Sequence, residues 1–84
     1  MIELYELRQF VVFADCGTLS EAAEVLHLSQ PALSRNMKKL EEELGIPLFF
    51  RRKNRLELNE NGTYVLGLAK QLLSDADSLA DKAR

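Results

Sequence analysis

Residues 19–38, LSEAAEVLHLSQPALSRNMK, constrain the fold of this chain more than any other segment. Apolar residues at helical spacing lie on both sides of a short polar corner, and the second half opens with Ser29-Gln30-Pro31. Serine is a favoured helix cap, and proline is tolerated in a first turn because the N–H groups there have no helical partner. The segment therefore predicts two short helices joined by a tight turn, which is the helix-turn-helix arrangement.

A further helix is predicted before this segment, because apolar residues recur every three or four positions from the start of the chain. Gly17 is expected to end that helix in a left-handed conformation. Ser20 is expected to cap the second helix, whose buried side would be Ala22, Ala23 and Leu26. The apolar stripe of the first helix consists of Leu4, Leu7, Val11 and Ala14, with Phe10 beside it.

Gly45-Ile46-Pro47 predicts the end of the third helix, and residues 48–58 then change to a period of two, which indicates a β-hairpin. Lys53-Asn54 is available for its turn, where a positive φ is needed. Asn59 is expected to cap a final helix that runs to the end of the chain. Its apolar heptad seam, which we predict to be a dimer interface, consists of Val65, Ala69, Leu72, Ala76, Leu79 and Ala83.

These elements predict a mainly α fold: a winged helix-turn-helix with a three-helix core and a two-stranded wing, followed by a long helix. The DNA-binding domain would occupy residues 1–58, with the helix-turn-helix motif at 19–38 and the wing at 48–58. A linker and dimerisation helix would occupy residues 59–84. A chain of 84 residues buries only about 60% of its unfolded surface, so a partner chain is plausible from size alone.

The net charge of −2 argues at first against a nucleic-acid ligand, which normally selects a basic domain. The distribution of charge reverses that argument. Between Arg35 and Arg55 seven basic side chains face only three acidic ones, a local balance of +4. One face of the molecule is therefore expected to be positive although the chain as a whole is acidic.

A helical wheel of the third helix places Arg35 and Lys38 nearly opposite a narrow core side that consists of Leu33, Met37, Leu40 and Leu44. Gln30 can pair with adenine, and arginines of the wing can enter a narrow minor groove. The alternatives are a solvated helix face and a hairpin edge kept soluble by charge. The predicted DNA-binding residues are Ser29, Gln30, Pro31, Ala32, Ser34, Arg35, Lys38, Arg51, Arg52, Lys53 and Arg55.

Catalysis and metal binding find little support in the sequence. His27 and Cys16 have no partners at a metal-ligand spacing, so both are expected to be structural, with a phosphate contact as the alternative for His27. We expect no enzyme, no cofactor and no small-molecule site. The lone cysteine and the absence of a secretion signal or a membrane-length apolar run predict a cytoplasmic protein.

The chain resembles the N-terminal DNA-binding domain of LysR-type transcriptional regulators. The resemblance spans nearly the whole chain. It rests on Phe10, Ala22-Ala23, Leu26, the segment SQPALS at 29–34, Leu40-Glu41, Leu44-Gly45, Leu48-Phe49, Arg51, Arg55, Leu58 and Gly62.

That resemblance implies that the third helix reads the major groove of double-stranded DNA and that the wing contacts the adjacent minor groove. It also implies that the last helix pairs two subunits on a dyad-symmetric bacterial operator, with a higher oligomer in the full-length regulator. An effector-binding domain normally follows in the family, and none is present in these residues. Asn36, where the family often has glutamine, leaves the preferred DNA sequence open.

A protein-interaction module is the competing interpretation, in which the last helix dimerises and the winged fold binds another protein. Salt-sensitive binding to duplex DNA would separate the two. A small hydrolase or metalloenzyme is a third and weaker alternative.

Overall fold

A computed structural model describes residues 1–53 and 55–84 of the chain. It contains four helices, α1 (Leu4–Cys16), α2 (Leu19–Leu26), α3 (Gln30–Leu44) and α4 (Glu60–Ala83). Between α3 and α4 lie two strands, β1 (Phe49–Arg52) and β2 (Arg55–Leu58), which pair antiparallel in one two-stranded sheet. The predicted fold class, a winged helix-turn-helix followed by a long helix, is confirmed.

Most of the predicted helix boundaries follow from local capping chemistry. Gly17 ends α1 at φ 87°, and Gly45 ends α3 at φ 76°, both in the left-handed region that glycine enters without a steric penalty. The Ser29 hydroxyl caps α3, and the Asn59 side chain accepts a hydrogen bond from the Gly62 N–H at 2.8 Å at the start of α4.

The predicted cap of α2 was wrong. Thr18, not Ser20, adopts the extended conformation before the helix, and its hydroxyl accepts a hydrogen bond from the Glu21 N–H at 3.2 Å. Gly17 reverses the chain so sharply that the next residue already occupies the cap position. Ser20 therefore lies in the first turn of α2 and is exposed.

The core lies where α1 crosses the other three helices and meets the wing. Leu33, Met37 and Leu40 of α3 are fully buried, which confirms the predicted core side of that helix. Phe49, the first residue of β1, packs edge-on against two rings of α1, at centroid distances of 5.8 Å to Phe10 and 5.5 Å to Phe13. The wing is thereby attached to the helical core at its base.

The buried face of α1 differs from the predicted stripe. Leu7, Phe10 and Phe13 are buried, whereas Leu4 is 46% exposed and Val11 is only half-buried. The large rings of Phe10 and Phe13 fill the centre of the core. The buried face of α1 is therefore rotated from the predicted stripe. The exposed Leu4 side lies beside α4, where it lines an apolar groove described below.

The predicted hairpin is confirmed, with Phe49 opposite Leu58 and Arg52 opposite Arg55. Lys53 has φ 46°, in the left-handed region that the predicted turn requires. Asn54, the other residue of that predicted turn, lies outside the described residues. At 24 residues α4 is roughly 36 Å long, which accounts for the elongated dimensions of 49 × 26 × 21 Å.

Candidate nucleic-acid interface

The corner between α2 and α3 places the start of α3 at the surface. His27 adopts φ 57° and ψ 41°, a left-handed conformation uncommon for a residue with a side chain, and it ends α2. The Leu28 N–H then donates to the carbonyl of Ala23 at 2.9 Å, and the Leu28 side chain packs against the core. These contacts fix the direction in which α3 leaves the turn.

The first turns of α3 present polar side chains to solvent, as the helical wheel predicts. Neither Arg35 nor Lys38 forms an ion pair with any carboxylate in residues 1–53 and 55–84. Their charges are therefore available to an external ligand. Of the predicted contact residues, Ser29, Gln30, Pro31, Arg35 and Lys38 are exposed, and Ala32 and Ser34 are half-buried.

Lys39 belongs to a different environment from Lys38. Its Nζ lies 3.7 Å from Oε1 of Glu6 on α1, and not against the carboxylate one turn further along its own helix. Lys39 therefore connects α3 with α1, whereas Lys38, about 100° around the helix from it, is exposed and forms no ion pair within the described residues. The two neighbouring lysines therefore have different surroundings in the structure.

The basic residues of the wing fall into two groups. The guanidinium of Arg52 stacks over the Phe50 ring at 4.7 Å, which orients it at the surface without neutralising its charge. Lys53 and Arg55 are exposed and form no ion pair within the part of the chain that the structure describes. Arg51, by contrast, donates from Nη2 to Oε1 of Glu41 at 2.9 Å.

A groove joins the wing to the helix-turn-helix. Gln30 at the start of α3 and Arg55 at the start of β2 line the same depression, of about 180 Å³, together with Thr18 and Ser20. A neighbouring depression is bordered by Ser34, Arg51 and Arg55. The two predicted contact regions meet through Gln30 and Arg55, which are 25 residues apart in sequence, and they therefore form one continuous surface.

Thr18 and Ser20 were not among the predicted contact residues. They lie at the N-terminus of α2, where backbone N–H groups lack helical partners and the helix dipole favours an anion. A sequence signal was present only for Ser20, which was predicted as the cap of the second helix, and there was none for Thr18. The sequence did not indicate that the start of β2 lies beside the N-terminus of α2.

The apolar seam of α4 is rotated from the predicted one. Ala69 is 2% exposed and Leu73 is 6% exposed, and both belong to the protomer's own core, so Ala69 cannot form part of an exposed seam. The reason is that α1 packs on this side of α4. Leu68, absent from the predicted seam, is 55% exposed.

An apolar flank of α4 remains uncovered beside that packed face. Leu72 and Leu79 are 49% and 65% exposed, Val65 and Ala76 are half-buried, and Ala83 is exposed. Next to this flank lies an apolar groove of about 250 Å³ between α1, α3 and α4. It is lined by Ile2, Leu4, Leu7, Leu44, Val65, Leu68, Ala69 and Leu72.

The opposite flank of α4 is polar. Arg8 pairs with Asp77 at 3.1 Å and Lys70 with Asp15 at 3.3 Å, so two ion pairs connect α1 and α4 there. Both pairs are well exposed, and such pairs contribute little to stability. The contrast between the two flanks leaves one side of α4 suited to an apolar contact and the other suited to water.

Glu6 of α1 and Glu43 of α3 form a carboxyl pair inside the α1–α3 contact. Burial and a hydrogen bond to the Glu43 carboxylate raise the pKa of Glu6 above its ordinary value of 4.5. The same hydrogen bond lowers the pKa of Glu43. Glu6 Oε2 and Glu43 Oε1 are both buried with no other hydrogen-bond partner, so a proton on Glu6, which the raised pKa favours, would satisfy both atoms.

None of the helices in the described residues combines the length and the apolar character needed to cross a membrane. Within the same residues, no three His, Cys, Asp or Glu side chains are grouped as metal ligands would be.

The sequence of this chain matches a known family and several individual regulators. The family described as bacterial regulatory helix-turn-helix proteins, lysR family, matches residues 4–63. The regulator BudR of Klebsiella aerogenes is 42% identical over 83 residues, which cover 99% of this chain and 58% of BudR. The small neutral protease regulatory protein of Streptomyces coelicolor is 39% identical over 83 residues, which cover 25% of that protein.

Solved structures agree with the sequence relatives. The CbnR DNA-binding domain in complex with DNA has a TM-score of 0.91 and 35% identity, covering 99% of this chain and 95% of that one. The BenM DNA-binding domain in complex with benA site 1 DNA has a TM-score of 0.89, also at 35% identity, covering 98% and 95%. The present chain spans between a quarter and three fifths of the length of the sequence relatives named here.

Proposed function

Because the chain belongs to the lysR family of bacterial regulatory helix-turn-helix proteins, we propose that it binds double-stranded DNA as the sequence-reading part of a transcriptional regulator. The observation that carries the proposal is the shared groove, in which Gln30 of α3 and Arg55 of the wing meet. A helix start and a basic hairpin on one surface match the two adjacent grooves of a duplex. The CbnR and BenM domains, whose structures contain DNA, support it.

In this proposal α3 enters the major groove with its first turns. Gln30 is exposed there and can donate to and accept from one adenine edge, and the half-buried Ala32 can contact a thymine methyl. Arg35 and Lys38 lie further along the exposed face and bind guanine or phosphate. Glu42, one turn beyond Lys38 and exposed, would be repelled by phosphate, so the helix leaves the groove at that point.

The wing then follows the backbone into the adjacent minor groove. Among residues 1–53 and 55–84, Arg52, Lys53 and Arg55 pair with no carboxylate, which suits the strong negative potential of a narrow A·T-rich groove. Thr18 and Ser20 at the start of α2 add phosphate contacts on the groove wall.

A homodimer completes the proposal. The apolar flank of α4 is the surface that a second copy would cover, and a two-fold dimer would bind a dyad-symmetric operator with two half-sites. We place the protein in the cytoplasm, where its DNA is, and expect a higher oligomer in the full-length regulator.

The test is a salt titration of binding to duplex DNA that the protein selects from a random pool. About six phosphate contacts predict that log K falls against log salt with a slope of about −5. Gln30→Ala should lose about 1–3 kcal/mol on the selected site and much less on random duplex. Gln71→Ala, an exposed glutamine of α4, is the matched control. A slope near zero would instead favour a protein-binding module.

A further inference from the structure

Glu41 of α3 accepts hydrogen bonds from two directions at the base of the wing. Its Oε2 accepts from the backbone N–H of Leu48 at 2.7 Å and of Phe49 at 3.3 Å. Its Oε1 accepts from Nη2 of Arg51 at 2.9 Å. The residue is 9% exposed, and both of its oxygens are engaged. One carboxylate therefore connects α3 with the first residues of β1.

The segment that Glu41 holds is also fixed from its other side. The Leu48 carbonyl accepts the Asn59 N–H at 2.9 Å, and the Pro47 carbonyl accepts the side-chain amides of Asn59 and Asn61 at 3.0 and 3.1 Å. The start of the wing is thus bound between the end of α3 and the cap of α4. The hydrogen bonds of Glu41 connect this segment with α3, in addition to the packing of Phe49 in the core.

The carboxylate at this place contributes direction as well as stability. Leu48 and Phe49 are 0% and 5% exposed, so an apolar side chain at position 41 would leave their buried N–H groups without the acceptor that Glu41 supplies. The Arg51 side chain is 48% exposed, so its ion pair with Glu41 is only partly buried. Charge-assisted hydrogen bonds add direction, because they hold their partners at fixed distances and angles. Glu41 is therefore suited to orient the start of the wing as well as to satisfy its N–H groups.

We propose that Glu41 is a positioning residue for DNA recognition, which holds the wing in one orientation relative to α3 through β1 and Arg51. The proposal rests on the proposed function, since orientation matters only if α3 and the wing contact one duplex. Arg51 then works inward as the partner of Glu41, and the outer wing cations contact DNA. Misalignment of the wing weakens minor-groove discrimination and leaves base reading by α3 intact.

The experiment compares Glu41→Gln, Arg51→Ala and the double variant with the wild-type protein. Glu42→Gln is the matched control, because it removes the same charge from an exposed neighbour on the same helix. Without DNA, NMR relaxation measures the order of the wing amides. With DNA, two affinity ratios are measured on a selected duplex: A·T-rich against G·C-rich flanks, and the correct against an altered central base.

Glu41→Gln is expected to remain folded, to increase the mobility of the wing amides, and to lower the flank ratio by about threefold or more. The central-base ratio should stay within about twofold of wild type, since α3 itself is unchanged. Arg51→Ala should lower the flank ratio similarly, and the double variant should be no worse than the poorer single variant. Glu42→Gln should change neither ratio.

A folded Glu41→Gln variant with wild-type wing order or flank ratio would overturn the proposal. So would additive losses in the double variant, which would make Arg51 an independent DNA contact. If Glu41→Gln does not fold, Arg51→Ala decides: an unchanged flank ratio rejects the proposal and a lowered ratio with a mobile wing supports it. Failure of the wild-type protein to bind any duplex would instead overturn the proposed function.

Discussion

Gly62, in the first turn of α4, lies where a side chain would collide with the base of the wing. A Cβ at this position would clash with the Leu48 carbonyl oxygen and lie 2.9 Å from the Leu58 side chain. The carbonyl cannot move freely because it accepts the Asn59 N–H. The close approach of α4 to the wing therefore depends on the absence of a side chain.

Gly62→Ala should destabilise the protein by about 1–3 kcal/mol, because overpacking forces the backbone apart. Gly67→Ala is the matched control in the same helix. A Cβ there meets no atom within 4 Å, so the substitution should stabilise by about 0.8–1 kcal/mol through helix propensity. Urea unfolding at one fixed protein concentration measures both. Equal effects of the two substitutions would contradict the proposed contact.

The carboxyl pair at the α1–α3 contact predicts a pH dependence. In the folded state the pKa of Glu6 is raised above 4.5. The proton on Glu6 therefore stabilises the folded state fully below pH 4.5, and this contribution is lost as pH rises through the raised pKa. The lowered pKa of Glu43 has the opposite effect. The ionised form of Glu43 stabilises the folded state above pH 4.5, and this contribution is lost as pH falls through the lowered pKa. Lys39, Glu3 and the N-terminal amine also act on this pair.

Glu6→Gln should therefore stabilise the protein relative to wild type at pH 7, with the advantage disappearing as pH falls below 4.5. The amide donates to Glu43 permanently, as the protonated acid does, and needs no proton from solution. Thermal unfolding from pH 3 to pH 8 measures the difference, with Glu42→Gln as the exposed control. A constant difference across this range would show that no proton is shared.

At the scale of elements, the wing is a short hairpin whose two faces differ. Phe49 packs into the core, whereas Phe50 stays 45% exposed beneath Arg52. Because the outer face carries no core residue, substitutions there can test binding without unfolding the protein.

Arg52→Ala should weaken binding to all duplexes, lower the salt slope by about one, and reduce the preference for A·T-rich flanks. Stability should change by no more than about 0.5–1 kcal/mol, the value of an exposed cation–π contact. Fluorescence anisotropy at several salt concentrations measures the slope. Lys82→Ala removes an exposed charge from the last turn of α4 and should leave the slope unchanged. An unaltered slope for Arg52→Ala would show that the wing is only a charged hairpin edge and does not contact DNA.

At the scale of the whole molecule, α4 divides into three strips along its length. One is packed against α1 through Ala69 and Leu73, one is apolar and exposed, and one carries ion pairs to α1. A protomer of this shape presents a single long apolar surface. We expect a second copy to cover it.

Leu72→Glu should dissociate the proposed dimer while each protomer stays folded, because Leu72 is 49% exposed in the single chain. A carboxylate without a partner in an apolar contact costs several kcal/mol. Sedimentation measures the mass, and binding to a two-half-site duplex should fall toward that of one half-site. Ser74→Glu adds the same charge to the polar flank and should remain dimeric. A dimeric Leu72→Glu variant would place the interface on another surface.

The sequence alone determined the elements, because caps and turns depend on neighbours a few residues apart. Ser29, Asn59, Gly17 and Gly45 all act where local chemistry predicts, and the core side of α3 follows from its own periodicity. Thr18 is the exception: Ser20 was the predicted cap, and the observed cap lies two residues earlier because α1 ends at Gly17 in a left-handed turn.

Tertiary structure decided what distant residues do to one another. The side of α4 that is covered depends on where α1 packs. Ala69, predicted to lie in the seam, is therefore buried in the core, and Leu68 is exposed. Whether Arg51 is free depends on Glu41, and no local pattern in the sequence indicates that these two side chains meet. Burial and directional hydrogen bonding are properties of the assembled chain, and periodicity carries no information about which of two apolar faces meets a neighbour.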